Sequence, residues 1–173
     1  HLSVAEMICP QRRPLLALVG ASIFSSLVLT SLSPLNAETP MTGPKDPQEQ
    51  VSPGKVDEDA PKEFTTTESG LKYRILRKGT GDMPSAANAV EVHYKGWLDN
   101  GNIFDSSYRR GKTISFGLGQ VIPGWTEGMQ LVGEGGMIEL EIPSKIGYGR
   151  RGSPPVIPPN ATLHFIVELF DVK

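Results

Sequence analysis

Three stretches of this 173-residue chain carry residue types from which chemistry is usually built. The first is G-Y-G-R-R-G, Gly147 to Gly152, which has the G-x-G-x-x-G spacing of a dinucleotide site. That chemistry needs the glycines to open a helix whose N-terminus faces the pyrophosphate. Here they run into S-P-P-V-I-P-P-N, and Pro154, Pro155, Pro158 and Pro159 forbid a regular helix. The second is D-N-G-N-I-F-D, Asp99 to Asp105, which half resembles a calcium loop. It has Gly101 where the third-position oxygen ligand belongs and no glutamate at the twelfth, so it reads as a hairpin turn. The third is the material for Ser/His/Asp catalysis. No G-x-S-x-G is present, and His93 and His164 have no motif around them. Both lie opposite the apolar residues of strand-like alternations and read as exposed strand histidines. The single cysteine, Cys9, excludes an internal disulfide, and no metal-ligand spacing occurs. Neither a metal nor a cofactor is implied.

The glycines and prolines of I-G-Y-G-R-R-G-S-P-P-V-I-P-P therefore need another reason. A long loop without secondary structure of its own is usually functional. This one presents Tyr148, Val156 and Ile157 on a backbone bent by glycine and stiffened by proline. The plainer alternative is a surface loop whose tyrosine and aliphatics cap a core.

Such a loop needs strands to hold it, and residues 64–173 supply them with period-two alternation. V-E-V-H-Y-K-G-W-L puts Val90, Val92, Tyr94 and Leu98 on one face and Glu91, His93, Lys95 and Trp97 on the other. M-I-E-L-E-I sets Ile138, Leu140 and Ile142 against Met137, Glu139 and Glu141, and T-L-H-F-I-V-E-L-F-D-V aligns Leu163, Phe165, Val167 and Leu169. Alternation of this kind suits antiparallel strands with one buried face. D-N-G-N (Asp99 to Asn102) and G-E-G-G (Gly133 to Gly136) supply turns. Only P-G-W-T-E-G-M-Q-L-V, opened by Pro123, looks helical. The fold class is α+β, one short helix lying on an antiparallel sheet.

Two segments precede this domain. In residues 1–37, Arg12 and Arg13 stand before an apolar run from Leu15 to Leu32, and Leu35-Asn36-Ala37 ends in a small residue. That is the layout of a secretory signal peptide cleaved near Ala37; the alternative is an N-terminal membrane anchor over residues 15–32. Residues 38–63 contain five prolines, no aromatics, seven acids and three lysines. Such a composition buries too little apolar surface to fold and reads as a disordered acidic linker. The overall net charge of −2 leaves no footprint for nucleic acid.

Residues 64–173 resemble the FKBP-type (FK506-binding) peptidyl-prolyl cis-trans isomerases. The matching stretches are V-H-Y-K-G-W-L (Val92 to Leu98), F-D-S-S (Phe104 to Ser107), L-G-Q-V-I-P-G-W (Leu118 to Trp125), Ile142-Pro143, Gly147-Tyr148-Gly149 and I-P-P-N-A-T-L-H-F (Ile157 to Phe165). Each is weak alone; together, in order and with matching spacing, they are specific. The resemblance implies an antiparallel half-wrapped β-sheet around one short α-helix, with an apolar pocket between helix, sheet and loops. It implies Tyr94, Asp105 and Tyr148 as catalytic residues, and Phe104, Arg110, Val121, Ile122, Trp125, Ile157 and Phe165 as substrate-binding residues, with Trp125 the pocket floor. It implies catalysis of X-Pro isomerisation on prolyl segments of unfolded or folding proteins, and FK506- and rapamycin-type macrolides as ligands of the same pocket. Ile114 stands where the family often has an aromatic wall, Ser153 where some members carry histidine, and Ile146 where some carry tyrosine. A binding module that holds prolyl segments with little turnover is the competing reading. With the leader, the expectation is an exported monomer in a periplasm or thylakoid lumen, at the membrane only if the leader is retained.

Overall fold

The structure, a computed structural model, describes residues 42–173. The signal-peptide and anchor readings of residues 1–37, and the first residues of the linker, lie outside the described residues. Among the described residues, no helix is long and apolar enough to cross a membrane.

Among the described residues, seven strands form one antiparallel sheet: β1 (Thr65–Thr66), β2 (Lys72–Arg77), β3 (Ala89–Leu98), β4 (Ile103–Ser106), β5 (Ile114–Gly117), β6 (Met137–Ile142) and β7 (Leu163–Val172). Their order is β1-β2-β6-β7-β3-β4, with β5 also paired to β3. The ten residues of β3 make it long enough to be shared. Its C-terminal half pairs with β4 (Gly96 opposite Asp105) and its N-terminal half with β5 (Val90 opposite Phe116). The gap between them, at His93 and Tyr94, is filled by a one-turn helix, α1 (Ser107–Arg110). Ser106 caps that turn, its Oγ accepting the Arg109 N–H, and Gly111 closes it at φ +62°. Ser107 Oγ then takes the Tyr94 N–H at 2.8 Å, the hydrogen bond that no strand is there to take.

The alternation read from the sequence holds on the concave face. Val90, Val92, Ile138, Leu140, Ile142, Leu163, Val167 and Leu169 are all essentially inaccessible there, under α2 (Pro123–Met129). Two glycines of P-G-W-T-E-G-M let α2 approach the sheet. A Cβ at Gly124 would sit 2.5 Å from Ile142, and one at Gly128 would sit 2.7 Å from Leu140. At that separation Trp125 and Met129 reach the core, each worth about 1.5–3 kcal/mol of burial.

The convex face departs from the sequence reading. It carries a second core of Leu76, Trp97, Tyr108, Met137 and Ile166, and the chain that covers it includes residues 42–60. From residue 42 onward the segment expected to be a disordered linker is an ordered strap. Gly43, at φ +72°, lays its backbone on the Trp97 ring, where a Cβ would come within 2.6 Å. Gln50 N–H donates to the Tyr108 carbonyl (3.0 Å), Gly54 N–H to Glu168 (2.9 Å) and Asp57 N–H to the Leu76 carbonyl (2.8 Å). Val56 packs into the second core. The strap is held by backbone hydrogen bonds and ion pairs more than by apolar side chains, which is why its composition does not reveal it. Beneath it Lys95 is buried, donating to the Pro44 carbonyl (2.9 Å) and Glu49 (3.0 Å).

His93 also departs from expectation. It is 8% exposed, stacked on Tyr108 at 4.9 Å and hydrogen-bonded to Ser107 at 2.8 Å. Burial lowers its pKa, against the opposing charge of Glu168. His164 is half-buried, stacked on Trp97 at 5.8 Å and bonded to Asp99 at 2.7 Å.

Candidate active site

The concave face opens at one end into a cleft of about 450 Å³. Its floor is Trp125, the third residue of α2, which Pro123 starts at the first helical position. Trp125 is 4% exposed and meets three rings edge-on: Tyr94 at 5.5 Å, Phe116 at 5.1 Å and Phe165 at 5.3 Å. Phe104 meets Phe165 the same way at 5.5 Å. These T-shaped contacts lock the rings against one another beyond what burial alone would do.

Gly96 makes the packing possible. It lies on β3 between Asp105 of β4 and Phe165 of β7, and a Cβ there would come within 2.6 Å of both Phe104 and Phe165. The glycine in V-H-Y-K-G-W-L is the slot into which two aromatic walls close.

One edge of the cleft is polar. The Tyr94 hydroxyl donates to Asp105 Oδ2. Arg110 reaches over from α1, donating from Nη1 to Asp105 Oδ1 (2.7 Å) and from Nη2 to the Tyr94 hydroxyl (3.1 Å), with its guanidinium 5.7 Å from the Tyr94 ring centroid. Burial, and then the hydrogen bond to Asp105, push the Tyr94 phenol up to about 12. At neutral pH it therefore stays a proton-bearing donor. The three groups satisfy one another, and two carboxylate hydrogen bonds hold Asp105 in one orientation.

Of the residues expected in the pocket, Tyr94, Phe104, Asp105, Val121, Ile122, Trp125, Tyr148 and Phe165 line the cleft together. Arg110 stands behind Tyr94 and Asp105 as their bridge and is not a wall. Ile157 packs in the apolar core, 6% exposed, in a two-residue bridge with Ser153. Tyr148 stands at the mouth, 42% exposed, on the turn where Gly149 (φ +60°) and Gly152 (φ +66°) bend the backbone. The sequence reading missed Phe116 and Gln120, which also line the cleft. Phe116 supplies the aromatic wall, while Ile114 two residues earlier is 37% exposed. The missed signal was the shared parity of these two residues on β5, which let either serve as wall.

A family model described as FKBP-type peptidyl-prolyl cis-trans isomerase matches residues 81–170. The chain belongs to this family. The probable FKBP-type peptidyl-prolyl cis-trans isomerase of Haemophilus influenzae is 51% identical over 112 residues, 65% of this chain and 46% of that protein. The FKBP-type peptidyl-prolyl cis-trans isomerase FkpA of Escherichia coli is 50% identical over 108 residues, 62% of this chain and 40% of that one. The chain thus spans less than half the length of these two relatives. Among solved structures, FkpA from Escherichia coli is similar with a TM-score of 0.63 and 49% identity, covering 65% of this chain and 53% of that one. AtFKBP13 is similar with a TM-score of 0.60 and 35% identity, covering 64% of this chain and 99% of that chain. Antiparallel sheet and spanning helix are thus the FKBP arrangement, with the cleft between them.

Proposed function

We propose that this FKBP-family cleft accelerates X-Pro isomerisation in prolyl segments of proteins that fold after export. The observation that carries the reading is an aromatic cleft with one fixed polar edge, Tyr94–Asp105–Arg110, in a member of this family. Rotation about the X-Pro bond faces a barrier of about 18–20 kcal/mol from amide resonance. Uncatalysed, it takes tens to hundreds of seconds. No bond is broken, so the chemistry asks for no nucleophile.

Two features of the cleft favour the twisted amide over the planar one. The planar amide is the more charge-separated form and loses more on leaving water, so the apolar walls of Trp125, Phe104, Phe116 and Phe165 raise the ground state relative to the twisted form. The polar edge then acts on the twisted form, in which the nitrogen lone pair and carbonyl are uncoupled. Asp105 and Tyr94 are held by each other and by Arg110, so they need no rearrangement as rotation proceeds. Tyr148, exposed at the mouth, would meet a substrate carbonyl with its hydroxyl. With its pKa pushed up to about 12 by burial and the Asp105 hydrogen bond, the Tyr94 phenol keeps its proton across neutral pH.

FK506- and rapamycin-type macrolides would occupy the same walls. The compartment, a periplasm or thylakoid lumen, rests on the leader pattern of residues 1–37, and the working unit is a monomer.

The test is an exchange-NMR or protease-coupled assay with a short prolyl peptide. Acceleration that the macrolide abolishes supports the reading. Saturable peptide binding without acceleration would replace it with a holding module.

A further inference from the structure

The strap on the convex face converges on α1, the turn that carries Arg110. Gln50 and Val51 N–H groups both donate to the Tyr108 carbonyl, at 3.0 and 3.4 Å. The Tyr108 hydroxyl and the Gly54 N–H meet on the same carboxylate oxygen of Glu168, at 2.7 and 2.9 Å. Arg109 Nε donates to Asp46 Oδ2 at 2.6 Å, and the Asp46 side chain is 1% exposed. The next residue, Arg110, points to the other face and bridges Asp105 and Tyr94.

A helix of one turn does not hold itself, because nucleation is unfavourable and little propagation follows. Its position is set by its attachments, and several of those come from the strap. We propose that residues 44–54 fix α1 so that Arg110 bridges Asp105 and Tyr94, making Asp46 and Arg109 positioning residues for the cleft from the opposite face of the sheet. The strap is itself anchored from β3, where buried Lys95 holds the Pro44 carbonyl and Glu49. Burial raises the Asp46 pKa, but the Arg109 hydrogen bond, the Gln48 N–H and the nearby charges outweigh it and leave the carboxyl below its usual range. The pair with Arg109 is therefore ionised throughout the neutral range. This inference rests on the isomerase reading of the cleft.

The experiment is a double-mutant cycle in the full chain, joining Asp46→Asn to Arg110→Ala. Asparagine keeps an acceptor for the Gln48 N–H while removing the charge that faces Arg109. Arg109→Met is the second variant, since the Arg109 side chain is 32% exposed and accepts a neutral replacement. kcat/KM on a prolyl peptide is measured well below every Tm, alongside Tm itself. Asp46→Asn should lower kcat/KM about three- to tenfold in the wild-type background and have no effect beside Arg110→Ala, as expected for residues acting through one another. A fall in Tm with kcat/KM unchanged, in both Asp46→Asn and Arg109→Met, would overturn the inference. So would equal losses of rate in both backgrounds. Absence of turnover in the wild type would instead overturn the isomerase reading. The Arg110 side-chain Nε resonance then decides positioning by itself: a shift on Asp46→Asn supports it, and an unmoved signal overturns it.

Discussion

Replacing Gly96 by alanine adds one methyl group at the place where two walls of the cleft meet. A Cβ there would lie 2.6 Å from Phe104 and 2.6 Å from Phe165, whereas carbon atoms rest at about 3.5–4.0 Å. Each ring must retreat by roughly 1 Å. Phe165 has nowhere to go, being 5% exposed and packed on Trp125. Phe104 is only half-buried, so it takes most of the movement and changes the shape of the cleft. Overpacking of this size costs about 1–3 kcal/mol, and each kcal/mol lowers Tm by about 4 °C in a domain of this size. If 1 kcal/mol of the strain is expressed at the cleft, kcat/KM falls about fivefold. Gly101→Ala is the control. Gly101 sits at φ +81° with nothing within 4 Å of a Cβ, so alanine there is strained but distant from the cleft. It should lower Tm by a comparable amount, about 1–2 kcal/mol of left-handed strain, with kcat/KM unchanged. Wild-type stability and wild-type rate in Gly96→Ala would refute the reasoning.

Deleting residues before Pro61 should uncover Trp97 and lower Tm by several degrees, with a red shift of tryptophan emission; unchanged melting and emission would mean that the strap contributes nothing. The buried His93 has a lowered pKa, so the unfolded chain binds its proton first as pH drops. Its contribution to stability is fully present above about pH 6.5 and is lost as pH falls through its folded value. Tm of the wild type should therefore fall between pH 7 and 5 more steeply than that of His93→Gln, and parallel curves would contradict this. Macrolide binding should alter the emission of Trp125 on the cleft floor and leave Trp97, across the sheet, unmoved; a signal that survives Trp125→Leu would contradict the placement.

What the sequence disclosed, and what it hid, divides along the two faces of the sheet. The concave core was legible because Val90, Val92 and Tyr94, like Ile138, Leu140 and Ile142, repeat with period two, and burial on that face is by apolar side chains. The helix was legible from Pro123 and the spacing of Trp125 and Met129. The convex face was not, because alternation assigns Glu91, His93, Lys95 and Trp97 to solvent unless something covers them. What covers Lys95 and Trp97 is a chain that attaches through Asp46, Glu49 and its own N–H groups, while His93 is covered by Tyr108 and Phe170, and no periodicity records such attachments. At the cleft, most lining residues lie inside contiguous motifs and were found, but Gln120, inside one of them, was passed over, and Phe116 was missed since Ile114 on the same strand face met the same description. Arg110, expected among the substrate-binding residues, bridges Asp105 and Tyr94, a relation that exists only once α1 has formed.

The central claim is that a fixed polar edge on an apolar cleft drives isomerisation, and Asp105→Leu tests it most directly. Desolvation alone would leave the rate unharmed or raise it, since leucine is more apolar. A charge-assisted hydrogen-bonding group is worth about 1.5–3 kcal/mol, which is roughly ten- to a hundredfold in rate. The Asp105–Arg110 pair is nearly half exposed on both sides, so its loss should cost stability at most about 1 kcal/mol. kcat/KM on a prolyl peptide should therefore fall ten- to a hundredfold while Tm moves only a few degrees. Unchanged turnover in a folded Asp105→Leu protein would contradict the claim.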